Sequence, residues 1–421
     1  MSCYEIEGGR PLNGRLTVQG AKNSALPILA ACLLASEPCV ICNCPRLSDV
    51  SATLEILAQL GCPVKREGDR VTVDPTNLTS CKISQRLMGE MRSSVIFMGA
   101  LLARLGQAEL SFPGGCELGP RPIDLHLRGL RAMGVEIIEE GGSLRCRWSD
   151  QREGREICLS IPSVGATENL MLAACGVPGE TTILGAAREP EIVDLQTFLR
   201  GLGAEVSGAG TDRVTIQGGN GKLHGCTYRV MGDRIAAATC LCAVGAAGGR
   251  VELNGVEPEH LAAVLSCLEE AGCQIQTQPD LICLESTGEL RGIGPVRTAP
   301  YPGFPTDAQA ILMAALAGGR GTTMFEENMF SSRYRHVDEL RRMGAQIQTA
   351  GRAALVIGTG GLQGAAVTST DLRGGAALVV AGLAAHGTTL VRDLRHIRRG
   401  YEDLEGTVTA LGGKIREIPE P

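Results

Sequence analysis

Aromatic side chains are scarce in this chain: one Trp, five Tyr and six Phe make up 3% of its 421 residues. A core that cannot draw on large rings must be built from Ala, Leu, Ile, Val and Cys. The 56 glycines let backbones approach closely enough to do so. A basic run is also missing, and the net charge is −6, which excludes an electrostatic footprint for nucleic acid. Any phosphate site must then be local, made by a few converging Lys and Arg. Long apolar runs are absent as well: 376-AALVVAGLAA-385 is far short of the ~20 residues that a bilayer span needs. The opening MSCYEIEGGRPLNG has no basic segment followed by an apolar one, so no secretory signal is expected. These absences leave no nucleic-acid, membrane or protein partner legible and predict a cytoplasmic protein.

Cysteine, by contrast, is plentiful. Seventeen scattered thiols, an odd number, do not describe a disulfide framework. PCVICNC (Cys39, Cys42, Cys44) lacks the second CxxC or neighbouring His that would complete a zinc set, and it alternates like a buried strand. TCLCAVG (Cys240, Cys242) lies in an apolar helix and reads as packing. No metal site is expected. One cysteine stands apart: Cys116, in SFPGGCELGPRP, sits among glycines and prolines near Arg121, away from any apolar period.

One signature recurs through the chain, a helix end, a glycine hinge and an extended segment. It reads QLGCPV, AMGVEI, GLGAEV, EAGCQI, RMGAQI and ALGGKI, with glycines 61, 134, 203, 272, 344 and 412. Successive glycines are 73, 69, 69, 72 and 68 residues apart, so six units of about 70 residues fill the length. Each unit opens with an apolar, small-residue helix, such as 24-SALPILAACLLA-35 or 306-TDAQAILMAALAG-318. A helix that is apolar almost all round belongs in a domain centre. A strand, an amphipathic helix and two more strands follow. The pattern predicts an α/β protein of two inside-out α/β barrel domains, three units each, with buried central helices and outer sheets. The expected domains are residues 22–230, carrying the Cys116 loop, and residues 1–21 with 231–421, with the active site in the cleft between them. The opening strand RLTVQG, without a hairpin partner of its own, belongs with the second.

Polar groups gather at the starts of the apolar helices: Lys22 and Asn23, Arg92, Ser163, Asp233 and Arg234, Asp307, and Arg373. Helix N-termini carry unpaired N–H groups and favour anions. An Asp or Ser at such a place is also a common cap, and for any one position capping is the alternative. The longer connections carry the reactive types: PGGCELGPRP, NMFSSRYRH with Arg333 and Arg335, and RHIRRGYE with His396 and Arg399. A loop thiol near Arg121 is a candidate nucleophile or proton donor, with Glu117 opposing any acidification. His126 reads as a structural histidine, and His396 is a weaker site candidate.

In order along the chain, QGAKNSALPILAACLLA, PGGCELGPRPIDLHL, SVGATENLMLAA, AAREPEIVD, RTAPYPGFPTDAQA, TDLRGGAALV and RGYEDLE resemble the UDP-N-acetylglucosamine enolpyruvyl transferases. The resemblance covers the whole chain and implies the same inside-out fold. It implies transfer of an enolpyruvyl group from phosphoenolpyruvate to the 3′-hydroxyl of UDP-N-acetylglucosamine, with loss of phosphate, in peptidoglycan synthesis. By the same resemblance Cys116 is the proton donor and the site of a covalent adduct. Lys22, Arg121 and Arg399 bind the phosphate side, and Asn23 lies beside the reacting groups. Arg333 and Arg373 serve the phosphoenolpyruvate carboxylate or closure, and Asp307 stands at the sugar hydroxyl. Arg92, the run Arg121-Pro122-Ile123-Asp124-Leu125, Ser163-Val164-Gly165 and Met329 hold the nucleotide sugar. No cofactor is implied: a cation about 4 Å from the reacting charge supplies about 4 kcal/mol at an effective dielectric of about 20.

The chain departs from the family pattern in places. Ile161 stands where a lysine is found in some members, Glu117 and Pro120 are unusual in the loop, FSSRYRH replaces ENRFMH, and Arg398 stands where aspartate is common. Two alternatives remain, a shikimate 3-phosphate enolpyruvyl transferase and a catalytically silent paralogue that binds the nucleotide sugar.

Overall fold

The computed structural model describes residues 2–112, 123–150, 152–219, 221 and 223–420. Cys116, Arg121 and Pro122, with Glu117 and Pro120, lie outside the described residues. The chain forms two compact units, one from Met1–Gln19 and Gly232–Pro421, the other from residues 20–112 and 123–231. Each has its own hydrophobic core.

In the unit built on residues 20–231, three sheets among the described residues surround the helices Lys22–Ala31, Phe97–Leu105 and Val164–Ala174, most of whose residues are buried. Small residues let these helices approach one another. A Cβ on Gly99 would lie 2.1 Å from the Asn169 carbonyl oxygen, so only glycine fits there. Two of the three helices are not α-helical throughout. Lys22–Ala31 runs on into a 3-10 turn, Cys32–Leu34, and Phe97–Leu105 is preceded by another, Arg92–Ile96. In the latter, Ser94 Oγ donates to Met91 O at 2.7 Å and so takes up a carbonyl at the helix entrance.

In the other unit the helices Arg234–Ala247, Thr306–Ala317 and Leu372–Ala384 pack on one another, again inside three sheets. A common sheet pattern joins an entry strand in parallel to the strand after the central helix, then adds an antiparallel hairpin. Val296–Arg297, Arg320–Glu326, Ala353–Thr359 and Gln346–Ala350 show it in full. The strand Leu12–Thr17 lies parallel to Gly249–Asn254 and is the entry strand of the fourth repeat. Ser2–Glu7 lies antiparallel between Thr388–Arg392 and Lys414–Pro419, completing the sixth. The second repeat departs from the pattern: among the described residues its sheet has three strands, and an isolated bridge between Lys82 and Glu109 takes the fourth place.

All six hinge glycines have positive φ: 98°, 94°, 94°, 112°, 89° and 82° in chain order. Each ends an amphipathic helix in the left-handed conformation that favours glycine. Cys39–Cys42 is a strand with alternating burial, and among the described residues every cysteine is a free thiol. No helix among them is long and apolar enough to cross a membrane.

Candidate active site

The described candidates fall into two groups, one in each unit. In the first, Lys22 opens its central helix and is 8% exposed. Its Nζ lies 3.2 Å from Asp49 Oδ2, and Asp49, in the first turn of the helix Ser48–Gln59, is also buried. Sequence reasoning passed over Asp49, because RLSDV reads as an ordinary helix start. Asn23 is half-buried in the same first turn as Lys22.

Arg92, half-buried, opens the 3-10 turn that precedes the second central helix. Ile123 is buried, Asp124 is exposed in the first turn of Asp124–Ala132, and Leu125 is half-buried. Next in the chain, His126 is buried and its Nδ1 meets Asn169 Nδ2 at 2.9 Å. The same amide nitrogen donates to Val95 O at 3.1 Å, and Asn169 Oδ1 accepts from Gly99 N at 2.6 Å. Burial, reinforced by the charge of Arg92 and opposed by Asp124, pulls the imidazole pKa down to about 4. His126 is therefore a neutral structural residue. Its ring backs onto Gly165, where a Cβ would meet Cε1 at 3.3 Å. Ser163 caps the third central helix, its Oγ accepting from Ala166 N at 3.3 Å. Val164 and Gly165 follow, both half-buried. One turn in, Glu168 is buried with no hydrogen-bond partner for Oε1 among the described residues, and burial together with Glu191 and Glu189 raises its pKa well above the usual carboxylate value.

The second group centres on Asp307. Its helix is preceded by Pro305, with no side-chain cap among the described residues. Instead Oδ1 accepts from Arg333 Nη2 at 2.6 Å, and Oδ2 accepts from Arg373 Nη2 at 2.9 Å and Nε at 3.2 Å. Both arginines are 2% exposed, whereas the Asp307 side chain keeps 29% of its surface open. Burial alone would lower the Arg373 pKa, but Asp307, Tyr401 and Asp233 outweigh it and hold that pKa above the ordinary guanidinium value. Arg333 also donates to Thr306 O at 2.9 and 3.2 Å and lies 3.9 Å from Asp371 Oδ1. Asp371 caps the last central helix, accepting from Arg373 N at 3.0 Å and Gly374 N at 3.1 Å. Capping is likewise the work of Asp233, which accepts from Ile235 N and Ala236 N, while Arg234 stacks over the Tyr301 ring.

Behind this group lies buried Glu327. It accepts from Thr298 and Thr306 hydroxyls and from the backbone N–H of Met329 (2.8 Å) and Phe330 (3.1 Å). It thereby shapes the turn that leaves Met329 39% exposed. His336 is sealed from solvent, with Nδ1 3.1 Å from Arg333 O. Burial brings its pKa down to about 4, against the charge of Asp371 and with that of Arg333. Arg399, half-buried, ends the 3-10 turn Ile397–Arg399. His396, just before that turn, lies 3.6 Å from Asp393. Arg398 binds Glu417 at 2.7 Å on the surface. Glu327, His336, Asp371 and Tyr401 were not singled out from sequence. Asp371 had a signal, as the acid two residues before Arg373 in TDLRGGA.

The profile of the EPSP synthase (3-phosphoshikimate 1-carboxyvinyltransferase) family matches residues 6–408. A UDP-N-acetylglucosamine 1-carboxyvinyltransferase 2 of Caldanaerobacter subterraneus is 47% identical over 418 residues, 99% of this chain and 100% of that protein. The UDP-N-acetylglucosamine 1-carboxyvinyltransferase of Synechocystis is 45% identical over 424 residues, covering 100% of this chain and 96% of the relative. Among solved structures, the enolpyruvyl transferase NikO from Streptomyces tendae superposes with a TM-score of 0.89 at 26% identity, covering 100% of this chain and 99% of that one. An EPSP synthase from Acinetobacter baumannii shares the fold, with a TM-score of 0.76 at 20% identity over 100% of both chains. Matched in this way from end to end, the chain belongs to the EPSP synthase family of enolpyruvyl transferases, among its UDP-N-acetylglucosamine 1-carboxyvinyltransferases.

Proposed function

We propose that the chain transfers the enolpyruvyl group of phosphoenolpyruvate to the 3′-hydroxyl of UDP-N-acetylglucosamine, releasing phosphate, as the first committed step of peptidoglycan synthesis. The observation that carries this reading is the 47% identity to a UDP-N-acetylglucosamine 1-carboxyvinyltransferase over essentially both full lengths.

In this reading Asp307 accepts the proton of the sugar hydroxyl as its oxygen bonds to C2 of phosphoenolpyruvate. Cys116 donates a proton to C3, giving a tetrahedral phospholactoyl species. Return of a proton from C3 to the Cys116 thiolate then restores the double bond and expels phosphate by breaking the bond from C2 to the phosphate oxygen. Three proton transfers occur, the sugar-hydroxyl proton stays on Asp307, and no redox change takes place. Lys22, Arg121 and Arg399 bind the phosphate and stabilise its departure. Arg333 and Arg373 fix the carboxylate of Asp307 from two sides, which supports a base held in one orientation. Asn23 lies beside the reacting groups, while Arg92, Pro122, Ile123, Asp124, Leu125, Ser163, Val164, Gly165 and Met329 hold the nucleotide sugar.

The test is phosphate release from phosphoenolpyruvate with UDP-N-acetylglucosamine, with shikimate 3-phosphate, and with no acceptor. Release with UDP-N-acetylglucosamine alone is the expected result. Release with shikimate 3-phosphate instead would overturn the acceptor assignment. Silence with both, from protein that still binds UDP-N-acetylglucosamine, would identify a silent paralogue.

A further inference from the structure

Arg399 ends a 3-10 turn of only three residues, so its direction depends on what holds the chain just beyond it. Two sets of contacts do so. On one side, Gly400 lies so close to Leu372 that a Cβ would meet Leu372 Cδ1 at 2.6 Å. The buried Tyr401 hydroxyl lies 2.8 Å from Thr239 Oγ1 and accepts from Arg373 Nη1 at 3.4 Å. On the other side is one amide. Gln19 Nε2 donates to Gly400 O at 3.0 Å, and Gln19 Oε1 accepts from Glu402 N at 2.9 Å. The backbone carbonyl of Gln19 also accepts from Asp233 N at 2.9 Å, tying residue 19 to the cap of a central helix.

We propose that Gln19 is a positioning residue for Arg399, setting the cation that receives the phosphate of the enolpyruvyl donor. The proposal rests on the reading of Arg399 given under Proposed function. Its chemical basis is specific: a primary amide presents one donor and one acceptor in a plane, matching a carbonyl and an N–H two residues apart. Asparagine falls one methylene short of this span. Glutamate keeps the acceptor for Glu402 N–H but sets an anionic oxygen against the Gly400 carbonyl, and only its protonated form can donate there.

The experiment compares wild type, Gln19→Ala and Gln19→Glu in KM for phosphoenolpyruvate, KM for UDP-N-acetylglucosamine, inhibition by inorganic phosphate, and thermal midpoint. Gln19→Ala is expected to raise the phosphoenolpyruvate KM and the phosphate inhibition constant about fivefold to tenfold, the scale of one or two lost hydrogen bonds. The nucleotide-sugar KM and the midpoint should hardly move. Relative to wild type, Gln19→Glu should match alanine near about pH 8 and recover near about pH 5, as the carboxyl begins to protonate. A phosphoenolpyruvate KM within about twofold of wild type in both variants would overturn the proposal. So would a parallel loss in both substrates and in midpoint that ignores pH, since that is a folding defect. If wild type shows no turnover, the functional reading fails by itself. Calorimetric titration with inorganic phosphate then decides: weaker binding by Gln19→Ala than by wild type supports the positioning role, and equal binding or none in either rejects it.

Discussion

Asp307 carries one negative charge against two guanidinium groups that are nearly sealed from water, so deleting it leaves two buried cations without their shared partner. Asp307→Asn preserves the shape and removes the base. It is expected to lower kcat by roughly 10²–10⁴-fold with a far smaller change in nucleotide-sugar KM; a defect confined to KM would reject the base role. Cys116→Ser should abolish or strongly reduce turnover and also lose alkylation by an epoxide phosphonate, and full activity in that variant would exclude the thiol. Glu168 yields a stability prediction instead. Its pKa is raised in the fold, first by burial and then by Glu191 and Glu189, so the folded chain keeps a proton that the unfolded chain gives up. Stability therefore falls as pH rises from the ordinary carboxylate range toward the raised value. Glu168→Gln should raise the midpoint more near about pH 8 than near about pH 4, and an equal shift at both would refute the assignment. His126 and His336 act at the acid side. Both are held neutral down to about 4 by burial. From the ordinary histidine value down to about 4, the unfolded chain gains protons that the fold refuses, and stability drops as pH falls. His336→Asn should flatten that acid slope in a pH series of midpoints, and an unchanged slope would count against it.

Elements show two reasons for the same glycine. At Gly344 the cost of alanine is conformational alone: φ is 89° and nothing lies within 4 Å of a Cβ. Gly344→Ala should cost about 1 kcal/mol. At Gly99 a Cβ would strike the Asn169 carbonyl oxygen at 2.1 Å, so the helices must part. Gly99→Ala should cost more, about 1–3 kcal/mol or beyond, and denaturant unfolding of the two variants would rank them. The hinge glycines are legible in sequence because a left-handed residue at a helix end selects glycine at a fixed place in each repeat. The 3-10 entrance at Arg92 is not legible, because it depends on where Ser94 Oγ finds an acceptor. For the polar helix starts, sequence left capping and chemistry open. Ser163, Asp233 and Asp371 cap, whereas Asp307 turns away from its helix to the arginines.

At the scale of the molecule, the first strand belongs to the end of the chain. Ser2–Glu7 is an inner strand, pairing on both edges, with the Glu7–Lys414 ion pair across one of them. Removing residues 1–7 should therefore unmake a sheet rather than trim an end. Loss of soluble folded protein is the expected outcome, and a truncated chain with the wild-type midpoint would contradict that pairing. The repeat period, the all-apolar central helices, the hinge glycines and the family were determined by sequence alone, since each is written in local spacing and side-chain type. The tertiary structure decided which charges meet. Arg373 reaches Asp307 across 66 residues, Lys22 reaches Asp49 across 27, and Gln19 reaches Gly400 across 381. Such pairs leave no periodic trace. They arise only when separately formed helices and turns pack, because a buried charge or amide must find its partner in whatever element the core brings beside it.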